Sequence, residues 1–160
     1  LPLQTVAEPR VVALDAVLPS VPFGAVRLQS GEVALLIHYW APWEQHAARQ
    51  AADLDSLLHS GALTGAPGAT TRAALVSFDP FPSLSRYVAR QRLRLPVLLD
   101  LQRALARQLP CPSVPYTYVI DAQGRIVVAQ PGEVEWLSPA TLETLLRAQA
   151  ATADSGGVRI

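Results

Sequence analysis

Val33-Ala34-Leu35-Leu36-Ile37-His38-Tyr39 runs straight into Trp40-Ala41-Pro42-Trp43-Glu44-Gln45-His46-Ala47, and this passage decides the fold. The first stretch is apolar almost throughout, the pattern of a central strand covered on both faces rather than one with a wet side. Pro42 and Trp43 interrupt it. A helix is predicted from about Glu44 to His59, with Leu54, Leu57 and Leu58 as its apolar stripe. A buried strand that passes through a tight turn into a helix is the first half of a β-α-β unit.

The rest of the chain repeats that alternation. Upstream, Val11 to Val17 reads as a short first strand, and Pro19-Ser20-Val21-Pro22-Phe23-Gly24 as a turn-rich connector. Downstream, residues 60–71 are rich in Gly, Ala, Thr and Pro and read as a loop. Ala73 to Asp79 is the next strand. Ser83 to Leu93 is a helix with Ser83 or Ser85 as N-cap. Leu95 to Asp100 is a short strand and Gln102 to Leu109 another helix. Thr117 to Asp121 and Arg125 to Ala129 flank Ala122-Gln123-Gly124, a hairpin with a glycine available for positive φ. Ser138-Pro139 carries the N-cap and N1-proline signal of a final helix running to about Ala151. The order implies an α/β fold, a mixed central sheet flanked by helices, with the last hairpin antiparallel.

Composition narrows the functional classes. The chain has 160 residues, enough for one domain with a full core, and no internal linker divides it. Its formal net charge is zero, which argues against a broad electrostatic footprint for nucleic acid. No apolar run is long enough to form a transmembrane segment. The single cysteine, Cys111, permits no disulfide within the chain. The start at Leu1 rather than Met is read as processing, with room for a leader or anchor ahead of it.

Three stretches resemble the TlpA/ResA-like, AhpC/TSA-related branch of the thioredoxin superfamily. Leu36 to Trp43 is similar to the family's strand followed by W-A-x-W. Leu95-Pro96-Val97-Leu98-Leu99-Asp100, with Ala104-Leu105-Ala106, is similar to its "fPvl-D…la" segment. Ser113-Val114-Pro115-Tyr116-Thr117-Tyr118-Val119-Ile120-Asp121, continuing to Gly124-Arg125-Ile126, is similar to its "g-V-P-t-t-f-l-I-D-x-x-G-r-I". The resemblance spans about Leu18 to Leu146 and implies a thioredoxin-like fold; the single domain is read as residues 1–152, with residues 153–160 as a flexible C-terminal tail. It also implies a cis bond before Pro115, facing the family's C-x-x-C, where the neighbouring backbone pairs with substrate polypeptide.

The C-x-x-C itself is gone: Glu44 and Ala47 stand where the cysteines would be, leaving Trp43, Glu44, Gln45, His46 and Ala47 as a degenerate motif. Thiol–disulfide exchange needs a thiolate. A carboxylate at a helix N-terminus is electrostatically well placed, worth about 0.3–1 kcal/mol, but it cannot attack sulfur. Other positions have drifted as well. His38 falls where many thioredoxins carry a buried acid, and is read as a neutral core histidine. Gln50 falls where this branch often has a glutamate.

Other chemistries are weighed at the same residues. Glu44 and His46 could form an acid/base pair, although residues two apart on a helix do not face each other. His38, Glu44 and His46 are types that suit zinc but lack its usual spacings. Cys111, between Pro110 and Pro112, is read as an inert thiol rather than a reactive one. Trp43, Val114, Pro115 and Tyr116 are the candidate partner-binding residues. Trp40 is assigned to the core, the Phe78-Asp79-Pro80-Phe81-Pro82 loop to the surface, and Trp136 to another edge of the domain. The sequence reading is a redox-inactive, thioredoxin-like protein without a catalytic residue, cofactor or metal. It is expected to act as a binding or assembly module for a protein partner, such as an accessory subunit of a membrane complex, on the extracytoplasmic side. The alternatives are an enzyme using Glu44/His46 or Cys111, and a metal carrier.

Overall fold

The computed structural model describes residues 1–64 and 69–158, with side-chain surroundings through residue 150. The strands are β1 (Arg10–Val11), β2 (Asp15–Val21), β3 (Ala25–Gln29), β4 (Ala34–Tyr39), β5 (Thr71–Ser77), β6 (Val97–Leu99), β7 (Tyr116–Ile120) and β8 (Arg125–Pro131). The helices are α1 (Ala47–His59), α2 (Phe81–Gln91), α3 (Ala104–Gln108) and α4 (Pro139–Val158). Together the strands form one mixed sheet in the order β1-β8-β7-β4-β5-β6-β2-β3. β4, β5 and β6 run parallel, and the other pairs are antiparallel.

β4 is buried at every residue, as an unbroken apolar run demands of a central strand. Alternate residues feed two cores. Ala34 and Leu36 pack with Leu54 of α1, Leu84 of α2 and Leu145 of α4. Leu35, Ile37 and Tyr39 pack with Leu105 of α3 and with Leu14, Leu18 and Leu28 near and within the β2–β3 hairpin.

That hairpin corrects the sequence reading. Pro19 through Gly24 was expected to be a connector, but Pro19 lies inside β2 opposite Ala25, Ser20 and Val21 complete that strand, and only Pro22-Phe23-Gly24 turns. On its β6 side β2 is paired only at Ser20 and Val21, so at Pro19 that side is open and a missing donor is tolerated. Gly24, at φ +89°, accepts the backbone turn, and its carbonyl receives the Ser20 N–H at 2.9 Å. The expected Val11–Val17 strand is thereby divided between β1 and β2.

Helix boundaries shift too. α1 begins at Ala47 rather than Glu44, because two successive turns precede it: Glu44 N–H donates to Ala41 C=O and Ala47 N–H to Glu44 C=O. Glu44 is therefore outside the first helical turn, and the dipole stabilisation expected for it does not apply. α2 starts at Phe81 with Pro80 at its cap and Pro82 inside the first turn, so neither Ser83 nor Ser85 is the N-cap. α3 is shorter than expected, its free N–H groups at Leu105 and Ala106 bonded by the buried Asp100 carboxylate. α4 continues to Val158, past Ala151 and into the expected tail. Residues 65–68 of the expected loop and the last residues of the expected tail, 159–160, lie outside the described residues.

The first residues form a strap that the sequence reading did not resolve. Leu3 is buried and its N–H donates to Thr141 Oγ1 of α4, while Gln4 N–H donates to Gln130 Oε1 of β8. Among the described residues no helix is long and apolar enough to cross a membrane.

Candidate functional site

The turn after β4 divides two recesses. Trp40 is its pillar: it is 2% exposed, its Nε1 donates to Ala47 C=O at 3.2 Å, and its ring meets Tyr87 edge-on at 5.3 Å. Trp43, three residues on, is 69% exposed. A tryptophan in the open contributes little to folding, so it is free to serve contact with something else.

On one side is a narrow cleft of about 10 Å3, room for roughly one water molecule. Glu44, His46 and Ala47 line it from the degenerate motif, facing Pro115 and Glu133, with His38 and Gln50 at its inner wall. Glu44 and His46 do not pair with each other. His46 Nδ1 donates to Glu133 Oε2 at 2.6 Å, across to the β8–α4 connection, and Arg49 lies 3.7 Å from the same carboxylate.

His38 is fully buried. Its Nδ1 lies 2.8 Å from Thr117 Oγ1, its ring meets Trp136 edge-on at 5.4 Å, and its Nε2 has no partner. Burial pushes its pKa down to about 3, so the imidazole is neutral. Gln50 is a clamp. Its Nε2 donates to Val134 C=O, and its Oε1 accepts from Val134 N–H and Trp136 Nε1. This clamp places Trp136 in the core at 1% exposure, correcting the expectation that it lies at an edge. No group of three or more His, Cys, Asp or Glu side chains among the described residues is arranged to hold a metal ion.

On the other side of Trp40 is an open groove of about 300 Å3. Trp43 and Val114 line it, with Phe78, Asp79, Arg103 and Cys111 opposite and below. It opens where β4 and β5 end, at the carboxyl edge of the parallel strands, where sheets of this kind leave crevices for ligands. The Val114–Pro115 bond is cis, and Pro115 C=O accepts from Gly132 N–H. The N–H and C=O of Val114 pair with no other described backbone group.

The proposed recognition residues thus divide: Trp43 and Val114 share the groove, Pro115 belongs to the cleft, and Tyr116 packs toward the second core against Tyr118. Cys111 Sγ donates to Ser113 C=O. The Arg103 guanidinium favours its thiolate, but burial wins and pushes the thiol up to about 11. Arg103 and Glu133 carried no signal in sequence, since neither belongs to a motif or a spacing that points to a site.

No family model matches the chain, and no curated protein does. Solved structures do. The chain is similar to the exposed lipoprotein thioredoxin of Streptococcus pneumoniae at 21% identity, covering 84% of this chain and 99% of that one with a TM-score of 0.66. It is similar to StoA from Bacillus subtilis at 13% identity, covering 86% and 98%, TM-score 0.66. It is likewise similar to the thioredoxin domain of a thiol-disulfide oxidoreductase from Bacteroides vulgatus at 13% identity, covering 89% and 98%, TM-score 0.65. At these identities the likeness establishes the fold: the chain has a thioredoxin-like fold.

Proposed function

We propose that this thioredoxin-like chain is a redox-inactive docking module, which holds an extended segment of a partner protein in the groove between Trp43 and Val114. The observation that carries the reading is the pairing of a lost reactive centre with an open recognition surface. Glu44 and Ala47 occupy the dithiol positions and the chain's single cysteine is a protonated, half-buried thiol. A groove that survives beside Trp43 and the backbone of Val114, which pairs with no other described backbone group, can bind a strand without exchanging sulfur with it.

An extracytoplasmic place of action is supported only by analogy: one similar structure is that of an exposed lipoprotein. By analogy the chain works outside the cytoplasm, as an accessory subunit of an envelope or membrane complex. The structure gives the Glu44/His46 enzyme reading no support, because His46 is committed to Glu133.

Native purification from solubilised membranes of the source organism, followed by mass spectrometry, tests this. The reading expects a stoichiometric protein partner that is lost when Trp43→Ala replaces the native chain. A chain that runs alone from both membrane and non-membrane fractions contradicts it.

A further inference from the structure

Arg103 is held in the left-handed backbone region at φ +57°, a conformation unfavourable for any residue with a side chain and one that glycine would adopt freely. Its N–H is tied to Asp100 C=O and its C=O receives Arg107 N–H, so the backbone cannot relax. The resulting geometry lays the guanidinium 4.4 Å above the Phe78 ring, inside the groove that Trp43 and Val114 border. The guanidinium forms no ion pair and no hydrogen bond with any described side chain or carbonyl. Asp79, on the groove wall, accepts from Ser77 Oγ, and Asp100, three residues ahead of Arg103, is buried under the first N–H groups of α3. An arginine stacked on an aromatic ring, with its donors unused, is pre-organised for a carboxylate.

We propose that the partner segment held in the groove presents an aspartate or glutamate to Arg103, so that the groove selects acidic extended peptides. This rests on the docking reading above and adds the chemistry of its partner.

The probe is an array of synthetic octapeptides, randomised at every position and capped at both ends, bound to the full chain. Binders are expected to be enriched in Asp and Glu and depleted in Lys and Arg. For the best binder, changing its acidic residue to the amide should weaken binding about tenfold, the worth of one charge-assisted pair. The same change should cost nothing measurable against Arg103→Gly, because the pair is already absent. Arg103→Gly also removes the left-handed strain, so affinity for the acidic peptide should fall while the melting temperature holds. Arg103→Lys, which keeps the charge but not the planar fork, should be intermediate. Binders that depend on Trp43 but show no acidic preference, or whose acidic residue matters equally with and without Arg103, overturn the acidic assignment and leave the docking reading standing. No binding by any octapeptide at millimolar concentration overturns both.

Discussion

Replacing Gln50 with leucine tests whether the wall shared by the cleft and the 133–136 connection is built as described. Gln50 is 5% exposed and touches three polar groups: Val134 C=O at 2.9 Å, Val134 N–H at 2.9 Å and Trp136 Nε1 at 3.2 Å. Val134 and Trp136 are 2% and 1% exposed, so water cannot readily take over. Gln50→Leu preserves volume and orphans all three, at about 1–3 kcal/mol each. Burying the leucine returns roughly 1–2 kcal/mol. The net loss should be at least about 1 kcal/mol, which for a domain of this size lowers the melting temperature by at least about 2–4 °C. Urea denaturation followed by tryptophan fluorescence measures it, with the slope against denaturant unchanged. A loss below about 0.5 kcal/mol, the usual range for surface substitutions, would refute the clamp. Gln50→Glu supplies a control. It keeps two accepted bonds but sets a carboxylate against Val134 C=O, so its carboxyl should retain a proton. Its deficit should therefore shrink as pH falls, opposite to the trend of an ordinary salt-bridged acid.

Other consequences concern single side chains. Trp43→Ala should change stability by less than about 0.5 kcal/mol, since the ring is exposed; a cooperative loss in thermal denaturation would place Trp43 in the core. Restoring Glu44→Cys together with Ala47→Cys should confer disulfide-reductase activity on an insulin substrate, because both positions line one cleft at the start of α1 and would again present a thiol pair; an inert double variant that forms its disulfide would show that the frame has drifted too far. His38 stays neutral in the folded chain while the unfolded chain takes up its proton near pH 6.5. Its contribution to stability is complete above that pH and declines toward pH 3, by up to about 1.4 kcal/mol per unit; the wild type should show that excess slope over His38→Gln, and equal slopes would contradict the burial argument. Cys111 should alkylate slowly at pH 7 and accelerate as pH approaches 11, and fast labelling at neutral pH would reverse its assignment as a protonated thiol.

What could be read from the sequence follows from how locally each feature is encoded. β4 and the turn after it were legible because a strand buried on both faces must be apolar throughout and the prolines and tryptophans mark its end. The β7–β8 hairpin was legible because Ala122-Gln123-Gly124 carries its own turn chemistry: Gly124 sits at φ +84°, and the Asp121 carboxylate accepts from Gln123 and Arg125 N–H groups. The β2–β3 hairpin was obscured because Pro19 and Pro22 look like loop residues, and only pairing with β3 over Asp15 to Pro19 and with β6 at Ser20 and Val21 makes β2 a strand. The site was less legible than the fold. The His46–Glu133 pair spans 87 residues of sequence and the Gln50–Trp136 bond 86, distances at which no spacing rule operates. Arg103 matters through its backbone angle and the ring beneath it, and neither is written in Leu101-Gln102-Arg103-Ala104.

The docking account turns on which surface meets another protein. Photo-cross-linking from benzoylphenylalanine introduced at position 43, in cells of the source organism, tests it most directly. Position 23 at the opposing hairpin tip, where Phe23 is 82% exposed, is the matched control. The account predicts one discrete adduct from position 43, mapping to an extended segment of a single partner, and none from position 23. Adducts from position 23 alone would contradict it and move the interface to the hairpin tip.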